Sequence, residues 1–319
     1  MKPFTPSLEG QNPMTLATVA RLHPRWVDTA IRLDRAPAAL WLVLQAAALL
    51  PTWRWMIARW RDGADDPLGL LALAALAWFL WQQRHAMRGA PRLGWLASGA
   101  LLTVAATLGR GSPLLALPPL LTGLFSVCAL ACTGLAFLPR RTATLPVLGL
   151  AVLALPLLSS LQFYAGYPLR VVTAEASRWL LALLFTTSRE GSSLWINGHL
   201  VIVDAPCSGV QMAWLGYFTA CAVALFIAPR HMPEGISSRR FLARLPAVSA
   251  CVLAGNVLRN TLLVAFEGMG RPLPGWAHET LGLLVLALVC GAIARVMAHR
   301  VLRSTTTPPS GDFHAHPVR

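Results

Sequence analysis

The stretch VDAPCSGVQMAW places Cys207 between Pro206 and Ser208-Gly209, at the head of a long apolar run. A proline just before such a run suits a helix start, so Cys207 is expected at a helix N-terminus. The positive end of the helix dipole there favours the thiolate, which is the nucleophilic form. Ser208 and Gly209 leave the backbone accessible, and neighbouring N–H groups can hold a developing oxyanion. The plainer alternative is a small packed thiol, the reading that suits Cys221, Cys251 and Cys290 in mid-run. Arg259 stands in LAGNVLRNTLLVAF, an otherwise apolar stretch. Asn256, three residues earlier on the same helical face, can orient its guanidinium. The structural alternative is a snorkelling arginine, or one paired with Asp204 or Glu267. His278 opens a third apolar run, GWAHETLGLL, where an imidazole can act as acid or base near neutral pH. His199 is its rival. A thiol, a guanidinium and an imidazole are a nucleophile, an oxyanion-stabilising cation and a proton shuttle, the parts that acyl transfer needs.

Whether the three meet depends on the elements that carry them. Of 319 residues, 55% are hydrophobic and 13% charged, against about a quarter charged in soluble domains. The composition indicates an all-α polytopic membrane protein. A spanning helix needs about 20 apolar residues, with about 17 as the lower limit. Uncharged runs give about eight transmembrane helices: 36–53, 67–83, 93–109, one within 111–139, one within 142–169, 207–229, 245–266 and 278–294. The net charge of +14 would suggest nucleic acid in a soluble chain, but these arginines punctuate apolar runs and read as topology signals. With the N-terminus inside, segments 1–35, 84–92, 140–141, 230–244 and 295–319 hold 18 of the 27 basic residues, so both termini are expected in the cytoplasm. The hairpin RWMIARWRDG, with three arginines on the outer side, runs against this bias.

That topology selects the three residues. Cys207 starts an inward-going helix, Arg259 nears the end of an outward-going one, and His278 starts the next inward-going one. Counted from Leu245, Arg259 is roughly 21 Å along its helix, about two thirds of the way through the bilayer core. A charge at that depth is costly and marks a functional candidate. The outer segment 170–206 is too polar to span. Within it EASRWLLALLF (175–185) sets Trp179, Leu180, Leu183 and Leu184 at helical spacing, an interfacial helix. SLWINGHLVIVD then flanks Asn197-Gly198 with β-type residues, a β-hairpin before the sixth span. The expected organisation is a cytoplasmic segment 1–35, an integral membrane domain 36–298 and a disordered tail 299–319. No cleavable signal peptide and no fused soluble domain are expected, and the six cysteines show no CxxC pair or metal spacing.

APCSG around Cys207, NVLR ending at Arg259 and a histidine heading the following span resemble the exosortase/archaeosortase family in order and spacing. The motif match covers roughly 145–295. Asn260 follows Arg259 where the family pattern has an aliphatic residue. The resemblance implies a membrane-embedded cysteine protease or transpeptidase of the bacterial inner membrane, with its active site on the periplasmic side and no cofactor. Its partners would be secreted proteins with a C-terminal sorting signal, made of a short motif (often Pro-Glu-Pro), one membrane helix and a basic cluster. Such enzymes often act beside exopolysaccharide production. Cys207 would attack the scissile carbonyl to form a thioester, Arg259 would stabilise the oxyanion, and His278 would protonate the leaving amine. Ser208, Gly209, Asn256 and Asp204 would support the site. Trp179 and Leu183 would contact substrate, as a lid or strand partner. Competing readings are a thiol acyltransferase on a lipid donor, a transporter or receptor holding an anionic ligand on Arg259, and a structural assembly subunit that needs none of the three.

Overall fold

A computed structural model describes residues 37–299 apart from 62, 64–66, 113–115, 203–208, 232–235 and 272. The expectations for 1–35, for the tail beyond 299, and for Asp204, Cys207 and Ser208 lie outside the described residues. The first run does not form one straight span. Helix α1 (Ala38–Ala48) meets α2 (Leu50–Arg61) at a 68° bend. Pro51 explains the break: it lacks an N–H, its ring clashes with the preceding turn, and it is tolerated in the first turn of a new helix. The arginines of RWMIARWRDG therefore sit on a helix rather than in a hairpin loop. Next come α3 (Leu68–Gln83), α4 (Leu93–Gly111) and α5 (Pro119–Phe137).

The expected fifth span breaks as well. Helix α6 (Thr144–Leu153) and α7 (Leu158–Leu181) meet at 94°. Pro156 biases the residue before it out of helical geometry. A break among apolar helices leaves carbonyls to be satisfied, and the Trp214 indole N–H donates to Leu153 O at 3.2 Å. The interfacial helix expected at 175–185 is not a separate element. It is the last part of α7, which runs unbroken through Pro168 and ends at Leu181, while 182–184 form a turn.

After α7 the chain forms an antiparallel meander, β1 (Thr187–Glu190), β2 (Ser193–Ile196) and β3 (His199–Ile202), in the order β1-β2-β3. Asn197 and Gly198 have φ of 48° and 83°, the two positive values that a tight two-residue hairpin turn requires, and they set Ile196 opposite His199. Leu194 and Ile196 are buried while Trp195 between them is exposed, the alternation of a half-buried strand. Ile196 packs against the bare backbone of Gly268, where a Cβ would come within 2.5 Å of it. Glu175 links helix to sheet by pairing with Arg178 at 2.6 Å and with Arg189 of β1 at 2.7 Å.

Three helices close the bundle: α8 (Val210–Ala222), continued by a π turn (Val223–Ile227) and α9 (Ala228–His231); α10 (Ser238–Gly268); and α11 (Gly275–Ala298). Among the described residues five helices are long and apolar enough to cross a membrane, and seven spans result if each bent pair counts as one. At 16 residues α3 reaches only about 24 Å, short of a typical bilayer core, which is why the expected count of eight is not reached. Lipid supplies no hydrophobic drive for helices to associate, so close approach at small residues matters. A Cβ at Gly216 of α8 would lie 2.6 Å from Val252 of α10, and one at Gly255 of α10 would lie 2.2 Å from Val289 of α11. These two glycines let α8, α10 and α11 pack backbone to side chain.

Candidate active site

The three helices drawn together by Gly216 and Gly255 leave a cavity of about 410 Å³ at the end where α8 begins. Its walls include Gly209, Gln211 and Met212 from α8, Arg259 from α10, and Glu279 and Gly282 from α11. Gly209 is the N-cap of α8, with φ of 81°. That left-handed backbone costs an L-residue about 1–2 kcal/mol. A Cβ there would also press within 2.8 Å of the Asn256 amide. Both demands select glycine, and they hold the start of α8 against α10. The N-terminal turn of a helix carries unsatisfied N–H groups and a partial positive charge, and this one lines the cavity two residues after Cys207.

Arg259 is half-buried and reaches across to α11. A Cβ built on Gly282 would stand 3.2 Å from Arg259 Nε and 3.4 Å from Nη2, so the guanidinium lies over the bare backbone of Gly282. His278 lies four residues earlier on α11, one helical turn away on the same face, and is half-buried. Its backbone N–H donates to Pro274 O at 3.1 Å, which ties it into the first turn. The structure therefore brings Arg259, Gly209 and the first turns of α11 to one place, while His278 itself does not line the cavity. Glu279, beside His278, faces the same cavity as Arg259.

Asn256 is buried against Gly209, and its Nδ2 donates to Thr173 Oγ1 of α7 at 2.9 Å. One turn on, Asn260 Nδ2 donates to Ser177 Oγ at 2.9 Å, also buried. The departure from the aliphatic pattern at Asn260 thus has a partner on α7. Two amide–hydroxyl pairs at the same spacing fasten α10, which carries Arg259, to α7, which carries the sheet. Trp179 and Leu183 are elsewhere: they are 65% and 80% exposed, neither lines the cavity, and the Arg178 guanidinium lies 4.7 Å above the Trp179 ring.

Sequence reasoning missed Gly282 and the hydroxyls Thr173 and Ser177. Glycine one turn after His278 was a usable signal, since an arginine entering a helix bundle needs a small residue opposite it. The hydroxyls gave none, because only the fold pairs positions 83 residues apart.

Chemically, the cavity offers a half-buried guanidinium, a helix N-terminus, a carboxylate and an adjacent imidazole-bearing turn, all set among apolar helices. No curated protein and no solved structure matches the chain. A family model described as transmembrane exosortase matches residues 60–295, well over half of the chain and every element that lines the cavity. The match begins far before the 145–295 region carrying the motifs, so the N-terminal helices α3 to α5 belong to it too. With these apolar helices and this match, the chain is a multi-pass membrane protein and belongs to the transmembrane exosortase family.

Proposed function

We propose that this protein is a membrane-embedded cysteine protease or transpeptidase that cleaves C-terminal sorting signals of secreted proteins. The convergence of Arg259, the start of α8 and the His278 turn of α11 on one cavity is the observation that supports this reading most. The Cys207 thiolate attacks the scissile carbonyl and forms a C–S bond. The Arg259 guanidinium, held over Gly282, takes the negative charge that develops on the carbonyl oxygen. The C–N bond breaks, and His278 gives a proton to the leaving amine. The remaining thioester passes its acyl group to water or to an acceptor nucleophile, and the thiolate returns. Asp204, Ser208, Gly209 and Asn256 support the site in this reading, and Trp179 and Leu183 contact substrate.

The family membership favours a protein substrate over the lipid donor of a thiol acyltransferase. The proposed setting is the bacterial inner membrane, with both termini cytoplasmic, the cavity facing the periplasm, and eight spans if α3 is included. Residues 36–298 are the membrane domain, preceded by a cytoplasmic segment 1–35. The acyl group on Cys207 tests the proposal. A peptide thioester found by mass spectrometry after brief exposure to a secreted protein bearing the tripartite signal is the expected result. A fatty acyl thioester would assign the chain to the acyltransferase reading instead.

A further inference from the structure

The far end of α8 holds a second cavity, of about 380 Å³. Its walls are mostly apolar, with Phe79 of α3, Ala143 before α6, and Ala224 and Leu225 of the π turn. The π turn is well anchored, since Phe226 meets Phe79 edge to face at 5.8 Å. Such turns are rare and often sit at functional sites. The polar side chains in its wall are Gln83, Arg141 and Thr142.

Two of the loops beside it are strongly cationic. Residues 84–92 and 139–142 contribute Arg84, Arg88, Arg92, Arg140 and Arg141, and from residue 67 to residue 174 the sequence contains no Asp or Glu. Two of these arginines have structural work: Arg84 donates to Trp81 O at the end of α3, and Arg92 donates to Leu135 O at the end of α5, where a cation suits the helix dipole. Arg88 and Arg140 lie close enough to Arg92 to add, after burial, to the lowering of its pKa. Arg141 is exposed on the cavity rim, and both ion pairs present among the described residues are made by Glu175 on another element. Among the described residues Arg141 is the one charged group in the cavity wall, and an apolar slot with a cationic rim fits an amphiphile that has an anionic head. Basic pockets between membrane helices on the cytoplasmic side hold such head groups, and the arginine count places these loops inside.

We propose that this cavity is a binding site for an anionic phospholipid, with an acyl chain along Phe79 and the π turn, and the phosphate held by Arg141 with Gln83 and Thr142. The site is separate from the Arg259 cavity, so it stands whether or not the catalytic reading does.

The test uses the full chain, purified and delipidated in detergent, with bound lipid counted by native mass spectrometry and unfolding followed by heat. Phosphatidylglycerol is expected to be retained and to raise Tm, whereas phosphatidylcholine and inorganic phosphate have little effect. Arg141→Gln is expected to cut phosphatidylglycerol retention at least tenfold, and Ala143→Phe to block it with the arginines intact. Arg295→Gln, which removes an exposed charge from the end of α11, should retain lipid like the wild type and controls for net charge. Arg141 is exposed, so its variant tests the site without disturbing the core. Equal retention by wild type and Arg141→Gln would overturn the proposal, as would equal effects of the two lipids or a full effect from inorganic phosphate alone.

Discussion

The two ends of α8 carry cavities of nearly equal size and opposite character. At its start, about 410 Å³ is lined by Arg259 and Glu279, by Gly282 and by a helix N-terminus. At its end, about 380 Å³ is lined by apolar side chains and a π turn, with Arg141 on the rim. Volume therefore says nothing about role. In the first cavity the half-buried guanidinium lies over the bare backbone of Gly282. In the second, the arginine is exposed and offers charge without a fixed geometry. The first suits a developing charge at a defined point, and the second suits a standing charge that can be met in several ways.

That contrast is sharpest at the arginines themselves. Arg259→Lys keeps the charge but loses the planar fork, and is expected to lower processing of a sorting-signal substrate by about 10²-fold or more, the scale of losing one oxyanion donor. Arg141→Lys should keep most lipid retention, because an ammonium serves a phosphate as a point charge. Equal tolerance at both positions, measured as processing rate and lipid count, would erase the distinction drawn here.

Gly282 comes next. Ala at 282 places a Cβ 3.2 Å from Arg259 Nε, so the guanidinium must shift by a few tenths of an ångström. Leu there must displace it. We expect kcat to fall severalfold for Gly282→Ala and by at least tenfold more for Gly282→Leu, with similar KM and folded protein. An unchanged kcat for Gly282→Leu would show that the position of Arg259 does not matter.

The α7–α10 seam gives a smaller effect on stability. Asn260→Leu restores the aliphatic pattern but leaves Ser177 without its amide donor, at an expected cost of about 1–3 kcal/mol. Adding Ser177→Ala removes the hydroxyl that has lost its donor, together with its long 3.4 Å bond to Val257 O, and should recover much of that loss, since replacing both partners is close to neutral. Thermal unfolding of the two singles and the double reads this coupling, and additive losses would deny it. The smallest change in stability belongs to the exposed pair. Trp179→Ser with Leu183→Ser should move stability by only about 0.5 kcal/mol or less while weakening processing. Unchanged processing would remove α7's exposed face from substrate contact.

Much of this arrangement was legible in the sequence because it rests on strong local signals. Asn197-Gly198 has the residue types for two positive φ values, and an arginine in an apolar run stands out at any alignment of the helices. The misses are equally physical. The uncharged run before Arg170 suggested that a span ends near 169, yet α7 continues through Pro168 because its other face, with Thr173, Ala174, Ser177 and Leu181, is buried against the neighbouring elements while Pro168 itself is exposed. Tertiary packing overrode a local breaker. Strand β1, Thr-Ser-Arg-Glu, has little strand propensity, and it forms because β2 offers an edge and Glu175 takes Arg189. The 68° and 94° breaks follow Pro51 and Pro156, residues that a count of uncharged positions passes over.

In the proposed function, the thiol two residues before Gly209 does the chemistry of the first cavity. The most direct measurement compares wild type and Cys207→Ala, at matched levels in membranes, acting on a secreted protein with a tripartite C-terminal signal. Intact mass of the substrate is the readout. A shortened product, or one joined to an acceptor, is expected from wild type and none from Cys207→Ala. Equal cleavage by both would contradict it and return Cys207 to a packing role.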